Sequence, residues 1–230
     1  MARTERLPTL DELYSWSATK APALDLETET ALSFETGLAF SRQDVLSAGD
    51  SLELKVTVFR NSIENLITTT PATDTVYFRN LAEAEFTGGE IEAGYEADHV
   101  FARLAYARAR GEDSTYGYTL ATSPADNLAL TLGGRLPDRG LEFGWRGTFV
   151  QEITTATRST TTGVITPTTY PGYTLHDLFV SWKPQSGPFE GFEVQLAMEN
   201  ALDESYRNNL SLDEGRGRTV KLTLGRVLTW

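Results

Sequence analysis

Two kinds of side chain alternate in Arg218-Thr219-Val220-Lys221-Leu222-Thr223-Leu224-Gly225-Arg226-Val227-Leu228-Thr229-Trp230. The even positions include Val220, Leu222, Leu224, Leu228 and Trp230, and most of the odd positions are polar or small. Because neighbouring side chains of a β-strand point to opposite faces, a period of two predicts a strand with one apolar and one polar face. A chain that ends on an aromatic residue of the apolar face is unusual for a soluble domain, whose termini tend to be polar.

The same period of two recurs throughout the chain, so we predict nine strands. Each alternates apolar residues on one parity with polar or small residues on the other. The predicted strands lie near residues 32–41, 52–58, 90–97, 103–106, 127–135, 141–149, 178–183, 192–199 and 218–230.

The connections between these strands fall into two classes. Short connections rich in turn residues are predicted near Asp44–Asp50, Asp98–His99, Pro137–Gly140 and Pro184–Gly191. Long polar connections are predicted near Asn65–Ala84, Glu112–Ala125, Ala156–Pro171 and Arg207–Arg216. The two classes alternate, so all short turns lie at one end of the sheet. This asymmetry is typical of transmembrane β-barrels.

Large aromatic residues of the apolar parity lie close to the short-turn ends or to the C-terminus: Phe40, Tyr95, Phe143, Trp182, Phe192 and Trp230. Aromatic rings at one level are expected at a membrane interface, where their amphipathic character is favourable. Rings of this kind could also fill the core of a β-sandwich. A sandwich core, however, gives no reason for the rings to lie at one depth.

Composition narrows the range of partners and compartments. The net charge of −12 argues against a nucleic-acid partner, which would need a basic face. Cysteine is absent, so disulfides and thiolate metal sites are excluded. An apolar run long enough for a transmembrane helix does not occur, but a membrane strand needs only about 9–11 alternating residues. The first residues, Met1–Arg6, carry no apolar export-signal core.

Charged and small residues follow the polar parity. The acids are Glu35, Glu53, Glu90, Glu92, Glu96, Glu142, Glu193 and Glu199. They either line the lumen of a barrel, or form the ordinary polar face of an amphipathic sheet. We expect Arg103, Arg108, Arg110, Arg135 and Arg146 to pair with these acids. Four glycines of this parity are expected to leave room at the wall: Gly37, Gly94, Gly133 and Gly144.

The sequence gives little support for catalysis, and we expect no enzyme. Its two histidines are His99, in a predicted turn, and His176, in a predicted strand. A hydrolase triad would require a carboxylate to orient His176, but adjacent Asp177 points to the opposite face of the strand. An outer-membrane phospholipase is a distant alternative.

Several motifs resemble those of TonB-dependent haem and haemoglobin receptors. Arg6-Leu7-Pro8-Thr9-Leu10-Asp11-Glu12-Leu13-Tyr14 is similar to the family's "FRAP…LY" segment, although no Phe precedes Arg6. The residues that follow resemble its "NPNL…ET…FE.G" stretch, with Ala21 and Ala23 in place of the two Asn. Three further segments resemble "Y.N…G.E.E" and "NLFD..Y": Tyr77–Asn80, Gly89–Glu92 and Glu199–Arg207.

The resemblance implies an all-β fold, namely an antiparallel up-and-down transmembrane β-barrel portion that corresponds to the last nine strands of a 22-stranded barrel. Residues 1–29 would be an extracellular-loop-like segment, and residues 30–230 a partial barrel. The implied place is the bacterial outer membrane. The implied partners are outer-membrane lipid, the remaining barrel strands and the plug of a full receptor, and TonB only through that plug, which this chain lacks.

The resemblance also implies uptake of haem or another iron source, with haem as a transported ligand rather than a resident cofactor. The matching ligand-binding residues are Arg6, Pro8, Leu13, Tyr14, Pro22 and Leu24. The segment Tyr14–Lys20 has no histidine in the place where the family usually carries a haem ligand. Tyr14 is therefore either a ligand of ferric haem or an ordinary loop aromatic. The alternative function is a small β-barrel or sandwich that binds a partner without transport.

Overall fold

The computed structural model describes residues 1–159 and 161–226. Almost all of its regular structure is β-strand, with one five-residue helix and one 3-10 turn, Pro137–Arg139. The elements are β1 Ala2–Arg6, α1 Leu10–Tyr14, β2 Glu29–Gln43, β3 Ser51–Thr69, β4 Phe78–Glu96, β5 Val100–Asp113, β6 Tyr118–Thr119, β7 Asn127–Leu136, β8 Leu141–Val150, β9 Ile153–Arg158, β10 Ile165–Tyr170, β11 Tyr173–Trp182, β12 Phe192–Glu199 and β13 Thr219–Arg226.

One antiparallel sheet contains the main strands in the order β1-β2-β3-β4-β5-β7-β8-β11-β12-β13. Along this path each strand pairs with the next main strand of the sequence. Two elements lie off the path: β6 pairs with the C-terminal end of β5, and β9 and β10 form a separate hairpin. The up-and-down arrangement of the nine predicted strands is thereby confirmed. The sheet is open within the described residues, since β1 and β13 lie at its two ends. Residues 227–230, including Trp230, lie outside the described part of the chain.

The strands next to the first long connection are longer than predicted. β3 continues to Thr69 and β4 begins at Phe78, so the connection between them covers only residues 70–77. The predicted long connection Asn65–Ala84 is therefore wrong. The parts of β3 and β4 next to this connection carry polar residues on both parities, so alternation does not predict a strand there. Backbone pairing continues there nonetheless, from Glu64 with Glu83 to Thr69 with Phe78.

Two further strand pairs lie in segments predicted as loops. The hairpin β9–β10 occupies most of the predicted connection Ala156–Pro171, where threonine-rich stretches show no apolar period. β1 lies within residues 1–29 and extends the sheet by pairing with the start of β2, from Ala2 with Ser33 to Arg6 with Glu29. The segment 7–28 therefore leaves the sheet at the end that carries the long connections.

The two faces of the sheet differ sharply. The apolar face carries the apolar parity of every main strand, for example Leu38, Leu54, Ile91, Leu130 and Leu222. Many of its large side chains are exposed, with 82% of Leu38 accessible. Soluble proteins rarely leave contiguous apolar surface of this extent uncovered. The opposite, polar face lines a concavity of about 700 Å³ between β2 and β8.

Phenylalanine rings lie directly across from glycines of the neighbouring strands. On the polar face these cross-strand pairs are Phe59 with Gly88, Phe86 with Gly111, Phe101 with Gly133, and Phe179 with Gly144. A Cβ atom at any of these glycines would lie 2.1–2.6 Å from an atom of the facing ring. The expectation that Gly133 and Gly144 leave open space is therefore wrong, because each is covered by a ring. Gly94, in contrast, has no atom within 4 Å of its Cβ position.

The first short turn, residues 44–50, is organised around one buried carboxylate. Asp50 accepts hydrogen bonds from the backbone N–H groups of Val45, Leu46 and Ser47 at 2.6–2.9 Å. The hydroxyl of Tyr95 donates to the same carboxylate at 2.8 Å. The ring of Tyr95 is thereby fixed at the short-turn end of β4.

Candidate ligand-binding end of the sheet

Five segments meet at the end of the sheet opposite the short turns: 7–28, 70–77, 114–126, 151–172 and 200–218. We call them together the loop layer. A small core of Leu81, Ala84 and Leu120 is buried beneath it, and Phe86 and Tyr118 pack against this core. Leu120 and Tyr118 belong to segment 114–126, so this segment is attached to the sheet by apolar packing as well as by its chain connections.

Arg6 ties helix α1 to the beginning of β2. Its guanidinium donates to the carboxylate of Glu12 at 2.9 Å and also to that of Glu29. Glu12 is the third residue of α1 and forms a capping box with Thr9, which fixes the first turn of the helix. The hydrogen bond from Arg6 holds the pKa of Glu12 below its usual value. Glu29 in turn accepts from the backbone N–H of Ile67 at 2.6 Å, so the cluster reaches β3.

Lys20 docks segment 7–28 onto the connection 70–77. Its buried ammonium donates to Thr70 Oγ1, to the Pro71 carbonyl and to the Val76 carbonyl at 2.9–3.1 Å. An ammonium has three donors, and these contacts use all of them. The Nζ atom also lies 4.8 Å from the centre of the Tyr77 ring.

Buried polar contacts join the remaining segments of the loop layer. Asp74 accepts from the hydroxyl of Ser159 at 2.8 Å, which links the connection 70–77 to the hairpin β9–β10. The side-chain amide of Asn209 donates to the Ser123 carbonyl at 2.7 Å. Tyr173 and Tyr206 pack with ring centroids 4.6 Å apart. The guanidinium of Arg158 lies over the Tyr116 ring, 4.0 Å from its centre, and joins the hairpin β9–β10 to segment 114–126, so the five segments form one connected layer.

The six site residues predicted from the sequence lie in α1 or in the stretches of chain on either side of it. The backbone N–H of Ala23 donates to the Leu13 carbonyl at 3.0 Å, so the stretch from Pro22 to Leu24 lies beside the end of the helix. Tyr14 and Leu24 are exposed, Leu13 and Pro8 are partly buried, and Arg6 has the structural contacts described above.

Three exposed apolar residues of the same segment were missed by the motif comparison: Leu7, Leu10 and Trp16. Trp16 is 75% accessible. Their apolar character, in a segment without strand alternation, was the available signal. Tyr14 and Leu24 are exposed apolar residues of the same segment, and we call the five residues together the α1 surface.

The aromatic residues predicted for a membrane interface lie, within the described residues, on the apolar face near the short turns. Phe40 and Phe143 are about half exposed. Trp182 packs against Phe189 of the turn 183–191 with ring centroids 5.7 Å apart, and Phe189 packs against Phe192 at 6.3 Å. Phe189 thus extends this aromatic group, although it lies outside any strand and was not predicted.

The polar face carries an ionic cluster near the short turns. Glu96 accepts from both Arg103 and Arg135 at 2.7 Å, and Arg135 also donates to Glu142 at 2.8 Å. The predicted pairing of polar-face arginines with polar-face acids is confirmed for these residues. The prediction was wrong for Arg108 and Arg110, which lie on the apolar parity and pair with Asp126.

The two residues considered for a catalytic triad have separate partners. His176 accepts from the indole N–H of Trp145 at 3.1 Å, whereas Asp177 accepts from the backbone N–H of Asn200 at 2.8 Å.

Residues 1–159 and 161–226 contain no group of three or more His, Asp or Glu side chains arranged to hold a metal ion. A helix of the length and hydropathy needed to span a membrane was likewise not found in that part of the chain.

Comparison with known proteins identifies relatives along nearly the whole chain. A family described as TonB dependent receptor-like, beta-barrel, matches residues 2–201. The TonB-dependent heme receptor A of Haemophilus ducreyi is 27% identical over 98% of this chain, and the hemin receptor of Yersinia pestis is 28% identical over 96% of it. The chain spans about a third of the length of these relatives, 35% and 33% respectively.

A solved structure, that of the copper transporter OprC, superimposes on 98% of this chain with a TM-score of 0.77 and 17% identity, and the match covers 36% of OprC. The open, curved sheet with one apolar face and one layered loop end is therefore a section of a receptor barrel wall. The chain belongs to the TonB-dependent receptor β-barrel family.

Proposed function

We propose that this chain is the C-terminal part of the barrel of an outer-membrane receptor that takes up haem or another iron source. The observation that carries the proposal is the similarity to haem and hemin receptors along almost the entire chain. In this proposal the polar face borders the lumen, and TonB acts through a plug outside this chain. The proposed role is transport, in agreement with relatives that are receptors and not enzymes.

The apolar face is proposed to contact outer-membrane lipid. Leu128 and Leu136 bound the apolar parity of β7 and lie about 26 Å apart along the strand at roughly 3.3 Å per residue. Tilted by about 40°, as strands of outer-membrane barrels are, this length spans a height of roughly 20 Å, which lies within their apolar band of about 25 Å. The long connections would then face the cell exterior and the short turns the periplasm.

The ligand would be received at the loop layer. The α1 surface offers exposed aromatic and aliphatic side chains, which suit the apolar face of a porphyrin. Arg6 and Pro8 are proposed to hold this segment in place, and Leu13, Tyr14, Pro22 and Leu24 to form its ligand-facing part together with Trp16. The open edges at β1 and β13 would pair with the remaining strands of the barrel.

A chimeric receptor tests the proposal, because the two open edges require the missing strands. The chain replaces the matching segment of the Haemophilus ducreyi receptor in a bacterium that lacks its own haem synthesis and haem receptor. We expect growth on haemin as the sole haem source. Heat-modifiable migration on a gel reports assembly separately. An assembled chimera that gives no growth would contradict haem uptake.

Substitutions in the α1 surface refine this test. Tyr14→Ala combined with Trp16→Ala should raise the haemin concentration for half-maximal growth about tenfold, as expected for a loss of roughly 1.4 kcal/mol of apolar contact. Arg3→Ala, at an exposed position of β1, is the control and should leave growth unchanged.

The alternative of a β-sandwich binding protein has no support in the fold. A sandwich covers the apolar face of one sheet with a second sheet. In the described part of the chain the second sheet is only the hairpin β9–β10, which belongs to the loop layer. A chain that remained folded and soluble without detergent would still favour this alternative.

A further inference from the structure

Three arginines lie on the apolar face where the apolar band ends toward the loop layer. Arg60 of β3 and Arg110 of β5 occupy one cross-strand row, joined through Thr87 of β4. Arg108 lies in the next row toward the short turns, level with Gly89. The row below contains Val56, Ile91, Tyr106 and Leu128 and is fully apolar or aromatic. The arginines therefore mark the upper boundary of the apolar band.

Carboxylates of the same face orient these arginines. Arg108 and Arg110 donate to the two oxygens of the buried Asp126 at 3.1 and 2.9 Å, and Arg60 donates to Glu85 at 2.5 Å. Two of the three side chains remain well exposed, with 63% of Arg60 and 55% of Arg108 accessible. A guanidinium carries five N–H donors in a planar fork, so a single carboxylate contact leaves donors directed outward.

Acidic residues lie on this face beyond the arginines, on the side of the loop layer. Glu85 and Glu112 share the row above Arg60 and Arg110, and Glu83 follows in the row beyond. At the short-turn end, the same face is bounded by Arg42 and by Arg226, which lies over the Phe192 ring at 4.8 Å. The apolar band is thus bordered by guanidinium groups on both sides. With the apolar face in a bilayer, as proposed above, these guanidinium groups would lie near the two levels of the lipid phosphates.

We propose that Arg60 and Arg108 bind the phosphate groups of a phosphorylated lipid in the membrane leaflet next to the loop layer. Planar, exposed guanidinium groups bind phosphate through charge-assisted and often bidentate hydrogen bonds. An arginine at the bilayer centre is costly, but the cost falls to about 0–1 kcal/mol near the interface. The inference rests on the proposed membrane position of the apolar face and is independent of the transported ligand.

The test measures lipid binding by the chimeric receptor described above, purified in detergent. Native mass spectrometry counts bound lipid A carrying both phosphates, in parallel with lipid A whose phosphates have been removed. The test variant combines Arg60→Gln with Arg108→Gln. Its matched control is Arg103→Gln, because Arg103 lies on the same strand as Arg108, is 58% accessible and has a carboxylate partner, but belongs to the polar face.

We expect tight binding of the phosphorylated lipid only. Affinity should fall about fivefold for each arginine removed, as is typical of a basic residue near an anionic lipid surface. Arg103→Gln should bind like the unmodified receptor. Equal lipid binding by the test variant and the control, in receptors that have assembled by heat-modifiable migration, would overturn the inference. Failure of all variants to assemble in membranes would instead contradict the membrane position itself.

Discussion

At the scale of single residues, glycine and phenylalanine pair across strands to shape the polar face. The ring of Phe101 occupies the space where Gly133 has no side chain, and the guanidinium of Arg135 lies over the same ring at 4.4 Å. The glycine thus allows a large ring to lie flat against the wall. Sequence parity predicted the polar face for Gly133, but its pairing with Phe101 requires the strand register.

We expect Gly133→Ala to destabilise the sheet by about 1–3 kcal/mol, as is typical when a side chain is forced into a filled space. The new Cβ would lie 2.1 Å from a ring atom of Phe101. The free energy of unfolding of the assembled receptor in detergent, from urea titration, measures the effect. Adding Phe101→Ala should relieve part of the loss, so the double variant should be less destabilised than the sum of the single effects.

Gly94→Ala is the matched control, since nothing lies within 4 Å of its Cβ position. It should be neutral or slightly stabilising, because alanine loses less backbone entropy than glycine in a strand. Equal destabilisation at both glycines would show that the rings have no special role.

The stability of the fold should depend on pH through the buried carboxylate of Asp50. Burial alone would raise the pKa of Asp50, but hydrogen bonds from Tyr95, Val45, Leu46 and Ser47 outweigh it and lower the value to about 2. Because the folded pKa lies below the unfolded one near 3.9, Asp50 stabilises the fold above that pH and this contribution is lost as pH falls toward 2. The stability difference between the unmodified receptor and Asp50→Asn should therefore be large at pH 6 and shrink toward pH 2.

Urea unfolding in detergent across this pH range measures the difference. Asp98→Asn, in the next short turn, is the control for removing an exposed acid. If the difference for Asp50→Asn stayed constant down to pH 2, the carboxylate would not be held by the hydrogen bonds seen in the turn.

At the scale of elements, the parts of the strands that carry the apolar band could be predicted from the sequence. The parts that continue beyond the apolar band toward the loop layer could not. Alternation arises because one face meets apolar and the other polar surroundings. Above the apolar band both faces of β3 and β4 are polar, and in β9 and β10 threonines occupy both parities, so the period disappears. For the same reason, Arg108 and Arg110 were assigned to the wrong acids.

The segment around α1 could be located from its motif, but its contacts could not. Arg6 was predicted as a ligand-binding residue, and the structure places its guanidinium between Glu12 and Glu29. These partners come from a helix cap and from the first residue of β2, and no spacing rule in the sequence links them. The Arg6 contacts account for how a five-residue helix, too short to be stable alone, keeps its position.

We expect Arg6→Ala to loosen the segment 7–28 without unfolding the sheet. Loss of the Arg6 contacts leaves Glu29 buried with a weaker set of partners and frees the start of α1. Chymotrypsin cleavage at the exposed Tyr14 and Trp16 should become several-fold faster in the assembled receptor. Arg3→Ala, which removes an exposed pair with Glu5, is the control and should not change the cleavage rate. An unchanged rate for Arg6→Ala would contradict the anchoring role.

At the scale of the whole molecule, the chain is a wall section and not a closed barrel. Its strand order ends at β1 on one side and β13 on the other, and open edges of this length would pair with any available strand. The nine-strand meander, the two faces and the two ends could all be predicted from the sequence, because each follows from alternation and loop composition. The layered packing of the long connections could not, because it depends on buried polar contacts between distant residues such as Asp74 and Ser159.

We propose above all that the apolar face meets lipid and the polar face meets the barrel interior. Nitroxide labels placed one at a time on β7, from Leu128 to Leu136, test it directly in the chimeric receptor in lipid vesicles. We expect a period of two in collision rates measured by electron paramagnetic resonance, with oxygen collisions highest at Leu128, Leu130 and Leu132. Oxygen collisions should be low at Ala129 and Thr131. Collision rates without this alternation, or highest for oxygen at the odd positions, would show that the apolar face does not meet lipid.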